Sequence, residues 1–350
     1  MDDPLPGITI RGYRPGDERA ILAAFNAVFS RGNPRFVPRT LDRWKWEFQD
    51  NPAGHRIALA VTEAGEIAAQ FCALPVRALF RGRSVTFHQA VDSMSDPRFR
   101  RVGIERARSA GGKRSPSLFV RAGNLFVEKF GLSGVDLFGF GLPIPIAWRV
   151  GKEFLGYELI RTQLQLVRAL DGGGRAPSVS SAAAPDVEEV SDPGEEADRL
   201  WSAAAARCEA SVVRDATYLR WRYVRHPDLR YRIAVARGAD GAPRGVAIYR
   251  RGEFSDREQG LLVEWLVPEE DLAAGRALLA WAGDRAREDG ADRLATVLPE
   301  TSRWFAAFQE EGFLAEGTKY ILVGRNYLGR EGPEWFRAHW SYTLGDFDLA

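Results

Sequence analysis

Two spacings of apolar residues alternate along this chain, and their order occurs twice. Period-two runs at 8–11, 57–62, 67–77 and 85–94 predict strands, the middle two joined by a hairpin turn at Glu63-Ala64-Gly65-Glu66. Asp17 is placed to cap a helix carrying Ile21, Phe25, Val28 and Phe29 on one face, and a second helix covers roughly 41–49. A helix near 118–130, a strand at 135–140, a helix near 146–155 and a strand at 162–169 complete the first set. In the second half, strands at 232–236, 245–250 and 259–267 precede a helix at 272–288, a strand at 293–298, a helix at 302–311 and a strand at 320–325. Hairpins followed by alternating helix and strand predict an α/β fold in which each copy is a mixed, mostly antiparallel sheet flanked by helices.

The repetition is also visible in words. Lys45-Trp46-Glu47-Phe48-Gln49-Asp50-Asn51-Pro52 lines up with Arg220-Trp221-Arg222-Tyr223-Val224-Arg225-His226-Pro227. Gly156-Tyr157, followed by Thr162 and Leu166-Val167, has the spacing of Gly312-Phe313, Thr318 and Leu322-Val323. Such self-similarity signals duplicated units. Between the copies, 171–198 is rich in Ala, Pro, Ser and Gly without apolar period, which predicts a flexible linker. The expected division is an N-terminal domain at 1–170, the linker at 171–198 and a C-terminal domain at 199–350. A polar stretch at about 105–117 reads as a loop inserted into the first copy.

Composition narrows the function. A length of 350 residues favours two domains over one. The formal net charge of +1 argues against a nucleic-acid or membrane-surface partner. Cys72 and Cys208 make no disulfide framework, and no Cys/His cluster has metal-ligand spacing, so no metal is expected. Without an apolar signal core or a run of membrane-spanning length, the chain reads as a cytoplasmic monomer or homodimer.

The string Asp92-Ser93-Met94-Ser95-Asp96-Pro97-Arg98-Phe99-Arg100-Arg101-Val102-Gly103-Ile104 resembles a motif of the GNAT (GCN5-related N-acetyltransferase) superfamily. There a strand ends in an acidic residue and a Pro, and an Arg-x-x-Gly-x-Gly/Ala turn opens a helix. Glu153-Phe154-Leu155-Gly156-Tyr157 is similar to the family's closing Leu-Gly-Phe, and Trp340 to Asp348 resembles the tail of large tandem members. The resemblance implies acetyl-CoA, or another acyl-CoA, as cofactor. Its phosphates would meet Ser93, Met94, Arg98, Arg100, Arg101, Val102, Gly103 and Ile104. Backbone N–H groups at a helix start and nearby arginines suit phosphate on physical grounds. The corresponding stretch of the second copy, Val267-Pro268-Glu269-Glu270-Asp271, is acidic and reads as a lost cofactor site.

Acyl transfer to an amine needs a base, an oxyanion donor and an acid for the leaving thiolate. Asp92 is the implied base or amine-orienting group, with a structural carboxylate as the competing reading. His88 is the second candidate, and the backbone N–H near Met94 is the implied oxyanion donor. Strand alternation puts Thr86, His88, Ala90, Asp92 and Met94 on one face. Lys152 and Phe308 stand where the family's usual tyrosine acid would be. The expected function is acyl-CoA-dependent N-acyl transfer, acetyl first among acyl groups, to an amine of a small molecule or protein. The alternative is a non-catalytic paired fold that binds a ligand or partner, which Arg101, Glu105 and Lys152 favour as departures from the family's pattern.

Overall fold

In the computed structural model, which describes residues 7–100, 116–170 and 185–349, the alternating runs become strands where the pattern predicts them. β1 (Ile8–Gly12) pairs antiparallel with β2 (Arg56–Thr62), and β2 with β3 (Ile67–Phe80). Gly65 takes the left-handed conformation (φ 81°) that the β2–β3 turn requires. β4 (Arg83–Ser95) follows β3 in the sheet and runs parallel to β5 (Phe138–Gly141). A parallel neighbour needs a crossover, and the helix α3 (Leu118–Phe126) lies in that connection. Two further helices precede it, α1 (Glu18–Phe29) and α2 (Leu41–Phe48), and α4 (Pro145–Phe154) follows β5. Asp17 does not cap α1: its carboxylate pairs with Arg11 and accepts the Arg14 N–H.

This first unit comprises the chain up to Val76, Thr86–Glu158 and Val323–Arg330. Alternation sorts its core by sheet face. Leu59, Val61, Cys72 and Leu74 pack against Ile21, Phe25, Trp44 and Phe48 of α1 and α2, whereas Ala58, Phe71 and Ala73 pack against Phe126 of α3.

The second unit takes Arg77–Val85, Leu159–Leu322 and residues from Glu331 onward. Its main sheet runs β13 (Leu314–Asn326), β6 (Glu158–Ala169), β12 (Arg293–Thr296), β11 (Arg257–Leu266), β10 (Pro243–Phe254), β9 (Arg232–Arg237) and β7 (Asp186–Val190). β11 and β12 are parallel, bridged by the helix α7 (Leu272–Glu288), and α8 (Arg303–Glu310) follows β12. The tip of β3 pairs with β8 (Ala210–Val212), which pairs with β14 (Trp340–Ser341). Helices α5 (Gly194–Ala205), α6 (Ala216–Leu219) and α9 (Pro333–His339) complete it.

Two expectations about boundaries need correction. Residues 185–198 of the expected linker are structured: β7 pairs with β9, and α5 begins at Gly194. Val187 packs on the core while Glu188 pairs with Arg237 and Glu189 with Arg285, so an acidic run became a charged edge strand. The rest of that linker, 171–184, and the insertion up to 115 lie outside the described residues. In addition, the last strand of the first copy and the end of the last strand of the second are built into the other unit. β6 pairs antiparallel with β12, from Leu166 opposite Thr296 to Ala169 opposite Arg293. The end of β13 pairs antiparallel with β5, from Val323 opposite Gly141 to Asn326 opposite Phe138. The units therefore cut across the division at 170 and 199.

The sequence repeat recurs as a repeat of interactions. Thr40 caps α2 by accepting the Arg43 N–H, and Asp215 caps α6 by accepting the Tyr218 N–H. After each helix, Asn51 Oδ1 accepts the Ala53 N–H (2.8 Å), and His226 Nδ1 accepts the Leu229 N–H (2.9 Å). The polar member of the repeated word holds the turn in both copies.

In the second unit a buried guanidinium, Arg214, meets two buried carboxylates: Nε donates to Glu264 Oε1 (2.8 Å) and Nη2 to Asp346 Oδ2 (2.6 Å). Burial pushes Asp346 up to about 6, Arg214 pulls it back, and Glu264 adds to the rise. A folded value above the unfolded value of about 3.9 means that the folded state binds the proton more tightly. That contribution is complete below the unfolded value and is lost as pH rises through the folded one. The stability of the wild type relative to Asp346→Asn should therefore fall by about 2 kcal/mol between about pH 4.5 and pH 7. Urea denaturation of both proteins at both pH values checks this, and a pH-independent difference would refute it.

Candidate functional site

β5 accompanies β4 only from Phe87 to Gln89 and ends at Gly141, while β4 continues to Ser95. The two parallel strands thus part beyond Gln89. Within the stretch where they part, Asp92 has φ 49°, a left-handed conformation that a strand residue adopts only when its surroundings hold it there. Arg39 does so, gripping the Asp92 carboxylate with both terminal nitrogens. The same guanidinium lies 3.2 Å from the buried Glu47 and 3.9 Å from the centre of the Phe25 ring. Burial works against its charge, but Asp92 and Glu47 prevail and raise its pKa above the ordinary arginine value.

This overturns the expected alternation. The left-handed residue interrupts the period of two, so His88 and Asp92 face opposite sides of the sheet. Asp92 turns to the α1–α2 side, where Met94 is buried. His88 turns to the α3 side, edge-on to Phe126. Asp92 is engaged as an ion-pair partner.

His88 is buried between two groups that sequence reasoning did not find. Its Nδ1 lies 2.9 Å from Asp136 Oδ2, and its Nε2 lies 3.3 Å from the Tyr327 hydroxyl. Asp136 is fully buried and also accepts from Arg56 Nε (3.0 Å) and Nη2 (2.9 Å). The carboxylate as acceptor makes Nδ1 the protonated nitrogen, which leaves Nε2 to accept the Tyr327 O–H. Burial raises the Tyr327 phenol well above its ordinary value, with Tyr157 and Asp136 adding to the rise against Arg325. In the series Tyr327–His88–Asp136–Arg56, Tyr327 and His88 border a cavity with room for about one water, lined also by Ala90, Gly139 and Tyr157. Glycines make the space: a Cβ on Gly139 would sit 2.4 Å from His88 Nε2, and one on Gly131 would sit 2.2 Å from the Tyr327 ring. Those two glycines were the only local signal, since Asp136 lies in a loop and Tyr327 follows a strand of the other repeat.

The expected cofactor residues divide three ways. Ser93 and Met94 lie on β4 beyond the parting, with the Met94 side chain in the core and only its backbone available. Arg98 is exposed but engaged: Nη2 contacts Asp96 (2.8 Å) and Nη1 contacts Glu66 (3.0 Å). Arg100 is exposed. Arg101, Val102, Gly103 and Ile104 lie outside the described residues. Tyr157 packs with the α3-side core, and Lys152 is exposed beside Trp148.

Asp136 holds both His88 and Arg56, so its removal leaves a half-buried guanidinium without its partner. Asp136→Ala should cost about 3–5 kcal/mol in urea denaturation, and Tyr327→Phe, which loses one long hydrogen bond, about 1 kcal/mol. The reverse order would show that the carboxylate does not anchor the group.

No known family profile and no curated protein matches this sequence. Solved structures do match. A GCN5-related N-acetyltransferase from Anabaena variabilis superposes with a TM-score of 0.61 at 11% identity, over 91% of this chain and 73% of that one. A GCN5-related N-acetyltransferase from Kribbella flavida gives 0.59 at 14% identity, over 91% and 71%. Saccharomyces cerevisiae N-myristoyltransferase with bound myristoyl-CoA gives 0.54 at 12% identity, over 95% and 82%. At these identities the likeness concerns the fold. With the parting of β4 from β5, the crossover helices and the duplicated order of elements, it establishes that the chain has the GNAT fold.

Proposed function

We propose that the chain is an acyl-CoA-dependent N-acyltransferase whose reaction takes place in the first unit, where β4 parts from β5. The observation that carries this reading is the parting itself. Beyond Gln89 the backbone of β4 loses its β5 partner, among the described residues, while the Arg39–Asp92 pair holds the strand in shape. A strand edge of this kind can hydrogen-bond an extended, amide-bearing chain such as pantetheine, as in strand addition. The exposed Arg100 guanidinium suits a phosphate, whereas Arg98 is already neutralised by Asp96 and Glu66.

Acyl-CoA would supply the acyl group activated as a thioester. The backbone N–H near Met94 would stabilise the carbonyl oxygen as negative charge develops on it. His88, with Nδ1–H given to Asp136, offers Nε2 as a proton acceptor, and Tyr327 connects it to the small cavity beside Ala90. The amine's proton would leave along that route, and the departing thiolate would take one from the ammonium or from water. The acceptor is an amine of a small molecule or protein, and acetyl is the first acyl group to test. The engagement of Arg98 and the presence of Lys152 in place of a tyrosine favour the second reading, a ligand-binding protein without catalysis.

Calorimetric titration separates the two. Acetyl-CoA should bind the wild type with a Kd of micromolar order, about −8 kcal/mol, and Arg100→Ala should weaken it about tenfold. In an amine screen, His88→Gln should lower kcat about 10²-fold without changing KM for acyl-CoA. Failure of several acyl-CoA chain lengths to bind at millimolar concentration would refute the acyltransferase reading.

A further inference from the structure

The second unit contains a larger cavity, about 220 Å³ and partly open to solvent, where β11 ends. β12 leaves β11 after Leu262, opposite Thr296, so a parting like that of β4 and β5 recurs here. The chemistry around it differs. Asp271 accepts the Ala274 N–H at the start of α7, and Glu269 accepts the Arg303 N–H (3.1 Å) at the start of α8. Both helix N-termini beside the cavity therefore already hold carboxylates, and a phosphate would be repelled.

The wall is aromatic. Trp201, Trp265, Trp304 and Tyr342 line it, and their faces attract cations. Its lining charges balance, Arg207 and Arg214 against Glu269 and Glu270. Arg214 forms part of the wall but is shared by Glu264 and Asp346, and Asp346 Oδ1 is buried with no hydrogen-bond partner. At the rim, Glu269 and Glu270 are exposed and Arg207 pairs with Glu270. Arg303 lies near Glu270, and Glu264 and Asp346 lie behind Arg214; none of the three is part of the lining, and Glu269 is the lining carboxylate that meets no guanidinium among the described residues. A cavity of about 150 Å³ accommodates benzene, so this one has room for a ring with a short side chain.

We propose that this cavity binds a small aromatic or apolar amine as its ammonium ion, with the body against Trp201, Trp265 and Trp304 and the charge toward Glu269 and Glu270. The inference does not rest on the acyltransferase reading, because no acyl-CoA is involved in it. Its test uses the full chain and three probes of one shape: phenethylamine, 2-phenylethanol and 3-phenylpropionate. Binding is followed by calorimetry and by tryptophan fluorescence, which the wall itself reports. Phenethylamine should bind about tenfold more tightly than either of the others, as expected for one desolvated cation–π contact plus carboxylates. Ala204→Phe, which fills the cavity from α5, should weaken phenethylamine about tenfold. Glu269→Gln keeps an acceptor for the α8 start; it should weaken the amine several-fold and leave the alcohol unchanged, about the worth of one charge. Equal or tighter binding of the alcohol or the acid, or no binding of the amine at about 10 mM, a ceiling of roughly −3 kcal/mol, would overturn the proposal.

Discussion

Each unit of this protein turns on an arginine that stands just before a helix and holds a carboxylate on a strand. In the first, Arg39 precedes α2 and grips Asp92 of β4; in the second, Arg214 precedes α6 and grips Glu264 of β11. Both arginines stand at the same offset from the repeated tryptophan word. Both carboxylates sit where their strand departs from regularity. Asp92 has a left-handed backbone, and the register of β10 against β11 shifts between Ile248 and Tyr249, next to Glu264. A buried ion pair adds little net stability in general, but removing one partner leaves an uncompensated charge, so the pair fixes one geometry. Both pairs lie on strands, β4 and β11, that continue past their parallel neighbours.

The exchanged final strands impose a second constraint. β6 is continuous in sequence with the first copy yet supplies the neighbour of β12, and the end of β13 supplies the neighbour of β5. Without them β5 and β12 would each be a bare edge of four residues. The exchange also explains where Tyr327 comes from. It follows β13, and only because β13 ends beside β5 does its hydroxyl reach His88.

Much of the fold was legible because apolar periodicity and turn residues act locally. The strands at 57–62 and 259–267 and the helix at 272–288 came out within a residue or two of the observed β2, β11 and α7. Comparing Lys45–Pro52 with Arg220–Pro227 found the duplication, and extending that comparison backward would have found Arg39 and Arg214. The site was less legible for physical reasons. Alternation assumes an unbroken strand, and the left-handed Asp92 breaks it, which put His88 and Asp92 on the wrong common face. Asp136 and Tyr327 are brought to His88 by a parallel crossover and an exchanged strand, and neither contact has a signature in local sequence. The acidic run at 186–190 lacked an apolar period because its strand is held by ion pairs and two valines at an edge.

The two copies have kept the same lock and diverged in what lies beyond it. In the first, the sequence after β4 is arginine-rich, and a buried histidine with a carboxylate on one side and a phenol on the other faces the small cavity. In the second, carboxylates occupy the helix starts that would otherwise attract phosphate, and tryptophans line a larger space. Glu269, which occupies the start of α8, also lines the aromatic cavity. A carboxylate that caps a helix also repels phosphate and attracts ammonium. On the proposed reading, the acids in the stretch after β11 change the class of ligand that the opening favours while the arginine–carboxylate lock stays as in the first copy.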